Sequence, residues 1–336
     1  MLDLVCFGEL LIRMTAIDGY VISDLKKFQP FLGGAEANVA TGVAKLGNKV
    51  QMAGVLPNNS FGDAAIAELR KHNVNTDKIA RAEGRMGLYF LSPGAIHRPS
   101  EILYDRKNSA FADYDFTKIN WDEVLKGAKW FHISGVTAAL NQKCYEITLH
   151  LMKRARALGV KVSYDANFRP KLWAEWSSGY EDKIVKLMNN ADLIFAGHRD
   201  FEMIFNTKYQ SKVAEEVQSM AANAAFDVFE NLTYLANTTR KQISAGYNQL
   251  NGNLFMRKKN YHTETFEIDG IVDRIGGGDA FCAGLLHGMI NHYEPQKSLD
   301  WAIASACLKH AQNGDLCLNT TKMIEDFLTG NFDVQR

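Results

Sequence analysis

Residues 271–281 read IVDRIGGGDAF, so three consecutive glycines stand directly before an aspartate and an apolar run. Further along, apolar side chains recur every four residues, at Phe281, Leu285 and Met289. This spacing predicts one buried face of a helix that begins near Gly278. The start of a helix offers unpaired N–H groups and the positive end of its dipole, and glycines let an anion approach the backbone. We therefore predict a phosphate site at residues 276–279.

Asp279 is the informative residue of this stretch. A carboxylate in a phosphate site repels its ligand, unless it is needed to take a proton from the nucleophile that attacks phosphorus. The alternative is that Asp279 only stabilises the start of the helix, while the glycines only form a turn. The sequence has no G-x-x-x-x-G-K-[ST] loop and no G-x-G-x-x-G after the first strand, so a nucleotide site needs independent support.

Short β-branched or aromatic runs alternate with longer amphipathic runs. They predict strands at 4–10, 49–55, 130–136, 160–166, 191–197 and 232–238, and helices at 35–46, 60–73, 142–158 and 180–190. This alternation predicts an α/β fold whose parallel sheet is covered on both faces. Residues 10–34 and 84–116 break the alternation and predict a small second sheet, a lid. Short strands at 252–268 and three helices after the glycines follow, and the absence of a linker predicts one domain over residues 1–336.

Composition excludes several classes of function. The 38 basic and 38 acidic side chains cancel, so no overall field favours nucleic acid or an anionic membrane. The five cysteines are scattered and never spaced as C-x-x-C, which favours a reducing compartment. No leader pattern stands at the N-terminus and no run approaches about 18 apolar residues, so we expect a cytoplasmic protein without a membrane span.

A second glycine-rich segment supports the prediction of a nucleotide site. FLGGAEANVATGVAKLG, at 31–47, and VDRIGGGDAF resemble, in order and spacing, the two signatures of the PfkB or ribokinase family of sugar kinases. The resemblance covers most of the chain. It implies a ribokinase-like three-layer α/β/α fold with a mostly parallel central sheet and a β-sheet lid. It also implies ATP and Mg²⁺ as cofactors, leaves a monovalent cation open, and implies a homodimer or higher oligomer, because a second lid would cover apolar residues and strand edges of the first.

Within the family, the chain resembles the 2-keto-3-deoxygluconate kinases. The matching pieces are GLYFL with Tyr89, EILYDRKNSA with Tyr104 and Arg106, and YDANFRPKLW with Arg169. In such kinases, tyrosines and arginines at these places line the pocket for the sugar acid. The implied reaction converts 2-keto-3-deoxygluconate to 2-keto-3-deoxy-6-phosphogluconate with ATP. Asp279 is then the general base, and Gly276, Gly277 and Gly278 form the anion hole.

The chemistry of these residues agrees with a sugar acid. A carboxylate suits the planar, always-charged guanidinium of Arg106 and Arg169. The tyrosine hydroxyls can bind the sugar chain, and the remaining hydroxyls would meet the segment with Gly33, Gly34 and Asn38. The alternatives stay open: the tyrosines could only pack the lid, and Arg106 could be solvated. Asp165 and Asn167 could stabilise a turn or lie near the metal and phosphates.

Several positions depart from the wider family. Where many members read D-T-x-G-A-G-D, residues 273–279 read DRIGGGD, with Arg274 in place of threonine. Where many carry N-x-x-E, this chain has Gly197 and Asp200, so Asp200 becomes the candidate for holding the metal through water. A further subgroup resemblance assigns nucleotide contacts to a predicted loop at 238–252, with Thr239 and Arg240, and to 309–315, with His310 and Gly314.

Two other functions remain open. One is another PfkB-type kinase acting on fructose, ribose or a nucleoside, which would share Asp279 and differ at the arginines. The other is a catalytically silent sugar-binding protein on the same scaffold, suggested by the altered residues at 197–202 and opposed by the intact GGGD. The stereochemistry of the sugar, gluconate-derived or galactonate-derived, also stays open.

Overall fold

The computed structural model describes residues 2–331, so residues 1 and 332–336 of the predicted domain lie outside it. The strands are β1 (Leu2–Phe7), β2 (Leu11–Ala16), β3 (Phe28–Gly33), β4 (Val50–Pro57), β5 (Val74–Ala82), β6 (Gly87–Ser92), β7 (Glu101–Asp105), β8 (Ala128–Ser134), β9 (Lys161–Asp165), β10 (Leu193–Phe195), β11 (Tyr234–Gln242), β12 (Tyr247–Met256), β13 (Lys259–His262) and β14 (Phe266–Asp269). The helices are α1 (Ala35–Lys45), α2 (Ser60–Lys71), α3 (Trp121–Leu125), α4 (Gly135–Ala138), α5 (Gln142–Ala157), α6 (Pro170–Ala174), α7 (Tyr180–Met188), α8 (His198–Ile204), α9 (Ala214–Val228), α10 (Gly277–Ile290), α11 (Pro295–Lys309) and α12 (Thr321–Thr329).

Ten strands form the central sheet, in the order β13-β12-β11-β10-β9-β8-β1-β4-β5 with β14 paired beside β13 on β12. The pairs from β5 to β11 are parallel, and the pairs that β12 makes are antiparallel. Successive side chains of β1 enter opposite cores: Val5 and Phe7 pack with α3, α5, α7 and α9, whereas Leu4 and Cys6 pack with α1, α2, α10 and α11. The predicted three-layer α/β/α fold is confirmed.

The two segments that break the alternation supply a second sheet of four strands, in the order β3-β2-β6-β7. Its inner face buries Leu11, Tyr89 and Leu91. The opposite face is apolar across its cross-strand neighbours, with Met14 beside Phe90 and Phe90 beside Leu103. Leu103 is 54% exposed, so this lid sheet presents an apolar outer surface.

The prediction of a loop at 238–252 is wrong. Strand β11 continues to Gln242, and β12 already begins at Tyr247, so a hairpin joined by residues 243–246 replaces most of that loop. Most side chains of this stretch are polar, so its sequence lacks the alternation of apolar and polar residues that predicts a strand. The antiparallel backbone ladder stabilises the extended conformation instead. All five cysteines are buried free thiols. Among residues 2–331, no helix combines the length and apolar character that a bilayer crossing requires.

Candidate active site

Two adjoining cavities open at the carboxyl ends of β9, β10 and β11, where ligands of parallel α/β sheets bind. The large cavity, about 710 Å³, is lined by residues at and after the ends of β9 and β10 and by residues 236–240 of β11, which include Thr239 and Arg240. The lid cavity, about 360 Å³, lies between the lid sheet, α1 and residues 274–279. The two share four lining residues: Asp165, Asn167, Arg169 and Gly278. These four residues form a seam, where a ligand in one cavity would meet a ligand in the other.

The glycine run begins helix α10 at the seam. Gly276 precedes the helix with a φ of 79°, and a Cβ at this position would lie 2.2 Å from the carbonyl oxygen of Asp315, so only glycine fits. An added Cβ at Gly278 would have no heavy atom within 4 Å, and this residue faces both cavities. The first turn of α10 is thus open to an anion. The helix begins at Gly277, one residue earlier than predicted.

Asp279 lies in this first turn and lines the lid cavity. Burial raises the pKa of its carboxyl group to about 6, although a hydrogen bond from Asn38 Nδ2 to Asp279 Oδ2, 2.6 Å long, opposes the rise. A carboxylate with this pKa is ionised at neutral pH and is still a useful proton acceptor. Asn38, predicted to bind sugar hydroxyls, thus also orients the candidate base.

A second carboxylate, Asp165, faces the same seam. Burial, followed by the negative charge of Asp279, raises the pKa of Asp165 to about 8, while Arg169 opposes the rise. Asn167 donates its backbone N–H to Asp165 Oδ1 at 3.0 Å, which stabilises a turn. Both residues also line the two cavities, so a role in the turn and a position beside the ligands are compatible. Two carboxylates that repel each other at a phosphate site favour binding of a cation.

The lid cavity contains two buried acceptors with no hydrogen-bond donor among residues 2–331, Asn38 Oδ1 and Asp315 Oδ1. Arg13 Nε lies 3.0 Å from Asp315 Oδ1 as an ion-pair contact, but the direction of its N–H does not make a hydrogen bond. An unpaired buried acceptor is costly, so Asn38 Oδ1 calls for a ligand that donates a hydrogen bond, such as a polyol, whereas the charge of Arg13 already compensates Asp315 Oδ1. Asp315 was not predicted as a site residue, although it ends the 309–315 stretch for which nucleotide contacts are predicted.

Comparison with known proteins identifies the family of this chain. The pfkB family carbohydrate kinase profile matches residues 1–320. The chain belongs to the PfkB family of carbohydrate kinases. It is 29% identical to the 2-dehydro-3-deoxygalactonokinase of Haloferax volcanii, over 98% of this chain and 97% of that protein. It is 26% identical to the 2-dehydro-3-deoxygluconokinase of Bacillus subtilis, over 100% and 98%.

A solved structure agrees with these relatives. The crystal structure of 2-dehydro-3-deoxygluconokinase from Thermotoga maritima superimposes with a TM-score of 0.92 at 34% identity, over 98% of this chain and 100% of that one. This protein is therefore an ATP-dependent carbohydrate kinase, and its fold is ribokinase-like. We refer to it below as the kinase.

The structure brings the predicted sugar-acid residues of the kinase together on the lid cavity. Arg106 is buried and donates through Nε to Glu9 Oε2 at 2.6 Å. Arg169 is exposed, lines both cavities and, among residues 2–331, donates only to the carbonyl oxygen of Phe168. Tyr104 packs on Tyr89, with ring centroids 6.2 Å apart.

Tyr89 differs from its predicted role in one respect. Its hydroxyl proton is donated to Asp315 Oδ2 at 2.5 Å rather than being free for a sugar. Gly34 lines the lid cavity, and its contact with a sugar stays a prediction, whereas Gly33 has a steric role: a Cβ there would lie 2.5 Å from Asp315 Oδ2. The glycine pair thus gives space to Asp315 as well as to a ligand.

The predicted nucleotide residues of the kinase fall into two groups. Thr239 and Arg240 line the large cavity, and their contacts with the nucleotide stay a prediction. His310 lies instead behind the anion hole, with its Nδ1 2.7 Å from the carbonyl oxygen of Ala306 and its ring against Gly277. Gly314 donates its N–H to Asp273 Oδ2 at 3.1 Å and faces a groove between the lid and α2. The structure therefore does not bring His310 and Gly314 to the cavity that contains Thr239 and Arg240.

Asp200, the predicted metal residue, lines the large cavity, but its Oδ2 accepts the N–H of Gly197 at 2.8 Å and so caps helix α8. Its role at a metal stays a prediction. No cluster of three or more metal-ligating side chains occurs among residues 2–331. Mg²⁺ in kinases needs only one or two carboxylates together with phosphate oxygens, and Asp165 at the seam meets that requirement.

Proposed function

We propose that the kinase transfers the γ-phosphoryl group of ATP to the terminal hydroxyl of a sugar acid, 2-keto-3-deoxygluconate. The observation that carries this proposal is the lid cavity. One of its walls contains Asp279 and the anion hole, and the same cavity contains two arginines suited to a carboxylate, Arg106 and Arg169. The two relatives named for 2-dehydro-3-deoxy sugar acids support the same class of substrate.

In the proposed reaction, the sugar hydroxyl oxygen attacks the γ-phosphorus while its proton passes to Asp279. The new O–P bond forms as the bond to the β–γ bridging oxygen breaks, so ADP leaves with that electron pair. Backbone N–H groups of residues 276–279 stabilise the charge on the moving phosphoryl oxygens. Mg²⁺, held by Asp165 and the phosphates and through water by Asp200, would neutralise phosphate charge. Asp279 finally releases its proton to solvent.

Sugar recognition follows from the groups that the fold leaves unpaired. Asn38 Oδ1 would accept a hydrogen bond from a sugar hydroxyl, and Asp315 Oδ1 would accept one in addition to its ion-pair contact with Arg13. Arg106 uses Nε on Glu9 and makes no other hydrogen bond within residues 2–331, so its two Nη groups can meet the carboxylate together with Arg169. The rings of Tyr89 and Tyr104 would exclude water from the cavity.

An assay panel tests the substrate. ATP consumption should be fastest with 2-keto-3-deoxygluconate or its galactonate epimer, and Arg169→Ala should raise KM for these acids while a neutral sugar is unaffected. Faster turnover of fructose, ribose or a nucleoside would contradict the sugar-acid assignment. Binding of the acid without phosphorylation at saturating ATP and Mg²⁺ would instead favour a silent binding protein. The same assay with K⁺ replaced by tetramethylammonium tests the monovalent cation.

A further inference from the structure

Arg274 lies two residues before the anion hole and lines the lid cavity together with residues 276–279. Its acidic neighbour does not neutralise it, because both oxygens of Asp273 bind Arg13, at 2.5 and 3.1 Å. The Nη2 of Arg274 donates instead to Gln242 Oε1, a neutral acceptor, at 3.3 Å. Arg274 thus keeps an uncompensated positive charge beside a site built for an anion.

A second unpaired arginine stands close to the first. Arg240 lines the large cavity, and its side chain makes no hydrogen bond or ion pair among residues 2–331. Partial burial and the charge of Arg274 lower the pKa of Arg240. Burial lowers the pKa of His310, behind Gly277, and the charges of Lys309, Arg240 and Arg274 add to that shift. Two neighbouring cations repel each other, so this arrangement favours a strongly anionic ligand between them.

We propose that Arg274 is a catalytic residue that donates hydrogen bonds to the γ-phosphoryl oxygens during transfer, while Arg240 binds the phosphates of bound ATP. Arg274 lines the lid cavity and Arg240 lines the large cavity, and the two cavities adjoin at Gly278. A guanidinium places paired N–H donors on phosphoryl oxygens and stabilises the charge that they carry in the transition state. No proton leaves Arg274, so Asp279 remains the only acceptor of the hydroxyl proton.

The position of Arg274 favours the phosphoryl group over the sugar carboxylate. Its guanidinium is bound to Gln242 on strand β11, and the same strand carries Arg240 on the nucleotide side. In the proposed sugar complex, the hydroxyl that reacts lies at Asp279. Arg274 lines the same cavity as Asp279 and residues 276–278, so its guanidinium shares that cavity with the reacting end of the substrate. The inference rests on the kinase activity of the family and holds for whichever sugar is accepted.

Steady-state kinetics with the best acceptor of the assay panel test the proposal. For Arg274→Ala, we expect kcat to fall about 10²-fold to 10³-fold, the usual effect of losing one transition-state donor, with both KM values within about threefold. Arg274→Lys should recover part of kcat, because charge is kept and the paired donors are lost. Arg240→Ala should mainly raise KM for ATP. Arg70→Ala, at an exposed ion pair with Asp77, is the matched control and should leave both constants unchanged.

A binding measurement separates a catalytic role from a structural one. Calorimetry with ADP, Mg²⁺, the acceptor and aluminium fluoride, which imitates the moving phosphoryl group, should show tightening by fluoride in the wild type. Arg274→Ala should lose most of that tightening while its affinity for ADP alone is unchanged. A variant with wild-type kcat, or one in which only KM for the sugar rises, would overturn the proposal. If Arg274→Ala fails to fold, wild-type kinetics in Arg274→Lys would overturn it equally.

Discussion

Asp279 combines the two properties that a general base in this reaction needs. It lies in the open first turn of α10, and burial holds its pKa at about 6. We expect Asp279→Asn to lower kcat by about 10²-fold or more while KM for the sugar changes little, since the amide keeps its shape and cannot take a proton. Initial rates over a range of sugar concentrations test this. An Asn variant with near wild-type kcat would contradict the assignment.

The same carboxyl group should make stability depend on pH. Its folded pKa of about 6 is above its ordinary value of 3.8, so its stabilising contribution is full below about pH 3.8 and lost as pH rises through about 6. Asp279→Asn should therefore raise the free energy of unfolding at pH 8 by about 1–2 kcal/mol and leave it unchanged at pH 4. This value is smaller than the full pKa shift would give, because the side chain lines an open cavity where solvent screens its charge. Urea unfolding without Mg²⁺ at both pH values measures the difference. An equal effect at the two pH values would contradict the raised pKa.

Asn38 should set the acid limb of the pH–rate profile. Its amide stabilises the ionised form of Asp279, which lowers the pKa of that group relative to burial alone. We expect kcat/KM of the wild type to fall below about pH 6, and the fall in Asn38→Ala to begin at a higher pH. Rates between pH 5 and 9 measure the shift. An acid limb that stays in place, or moves downward, would show that Asn38 does not act on the base.

At the scale of elements, strand β2 of the lid is joined to the anion hole by a buried ion network. Fully buried Arg13 pairs with Asp273 and contacts Asp315, and Asp273 in turn accepts the N–H groups of Ile275 and Gly314. Removing the arginine leaves these two carboxylates without their ion-pair partner. The network therefore links the position of the lid to the backbone that presents the glycine run.

Arg13→Met should destabilise the kinase by about 3–5 kcal/mol, the usual cost of breaking a buried pair from one side. The exposed pair of Lys27 and Asp18 supplies a control near the same sheet, where Lys27→Met should cost less than about 1 kcal/mol. Denaturant unfolding of both variants gives the comparison. Equal costs would show that the buried network does not hold the lid to the site.

The sequence predicted the elements better than the contacts between them. Helices α1, α2, α5 and α7 and most parallel strands follow from apolar periodicity, because each buries one face or both. The hairpin of β11 and β12 carries polar residues and is stabilised by backbone pairing, which leaves no periodic signal. The contacts of Arg13 and Asp315 join residues about 300 positions apart, so no local pattern could reveal them. Asp279 was found because its signal, an acid after three glycines, is local.

At the scale of the whole molecule, the apolar outer face of the lid indicates an interface with a second copy of the chain. Met14, Phe90 and Leu103 form an apolar surface on this sheet, and a second lid would cover it, as the sequence predicted. We expect analytical ultracentrifugation to show a dimer or larger oligomer, and Leu103→Asp to shift it towards monomer. Leu158→Asp, at an exposed leucine after α5, is the control and should leave the mass unchanged. A monomeric wild type at micromolar concentration would contradict the lid interface.

The central claim is that phosphoryl transfer takes place at the seam of the two cavities, with Asp279 as the proton acceptor. A crystal structure with ADP, Mg²⁺, aluminium fluoride and 2-keto-3-deoxygluconate tests it most directly. We expect the Asp279 carboxylate within hydrogen-bonding distance of the sugar's terminal hydroxyl, and the fluoride group against the N–H groups of residues 276–279. A complex in which Asp279 faces solvent, away from both reactants, would contradict the mechanism.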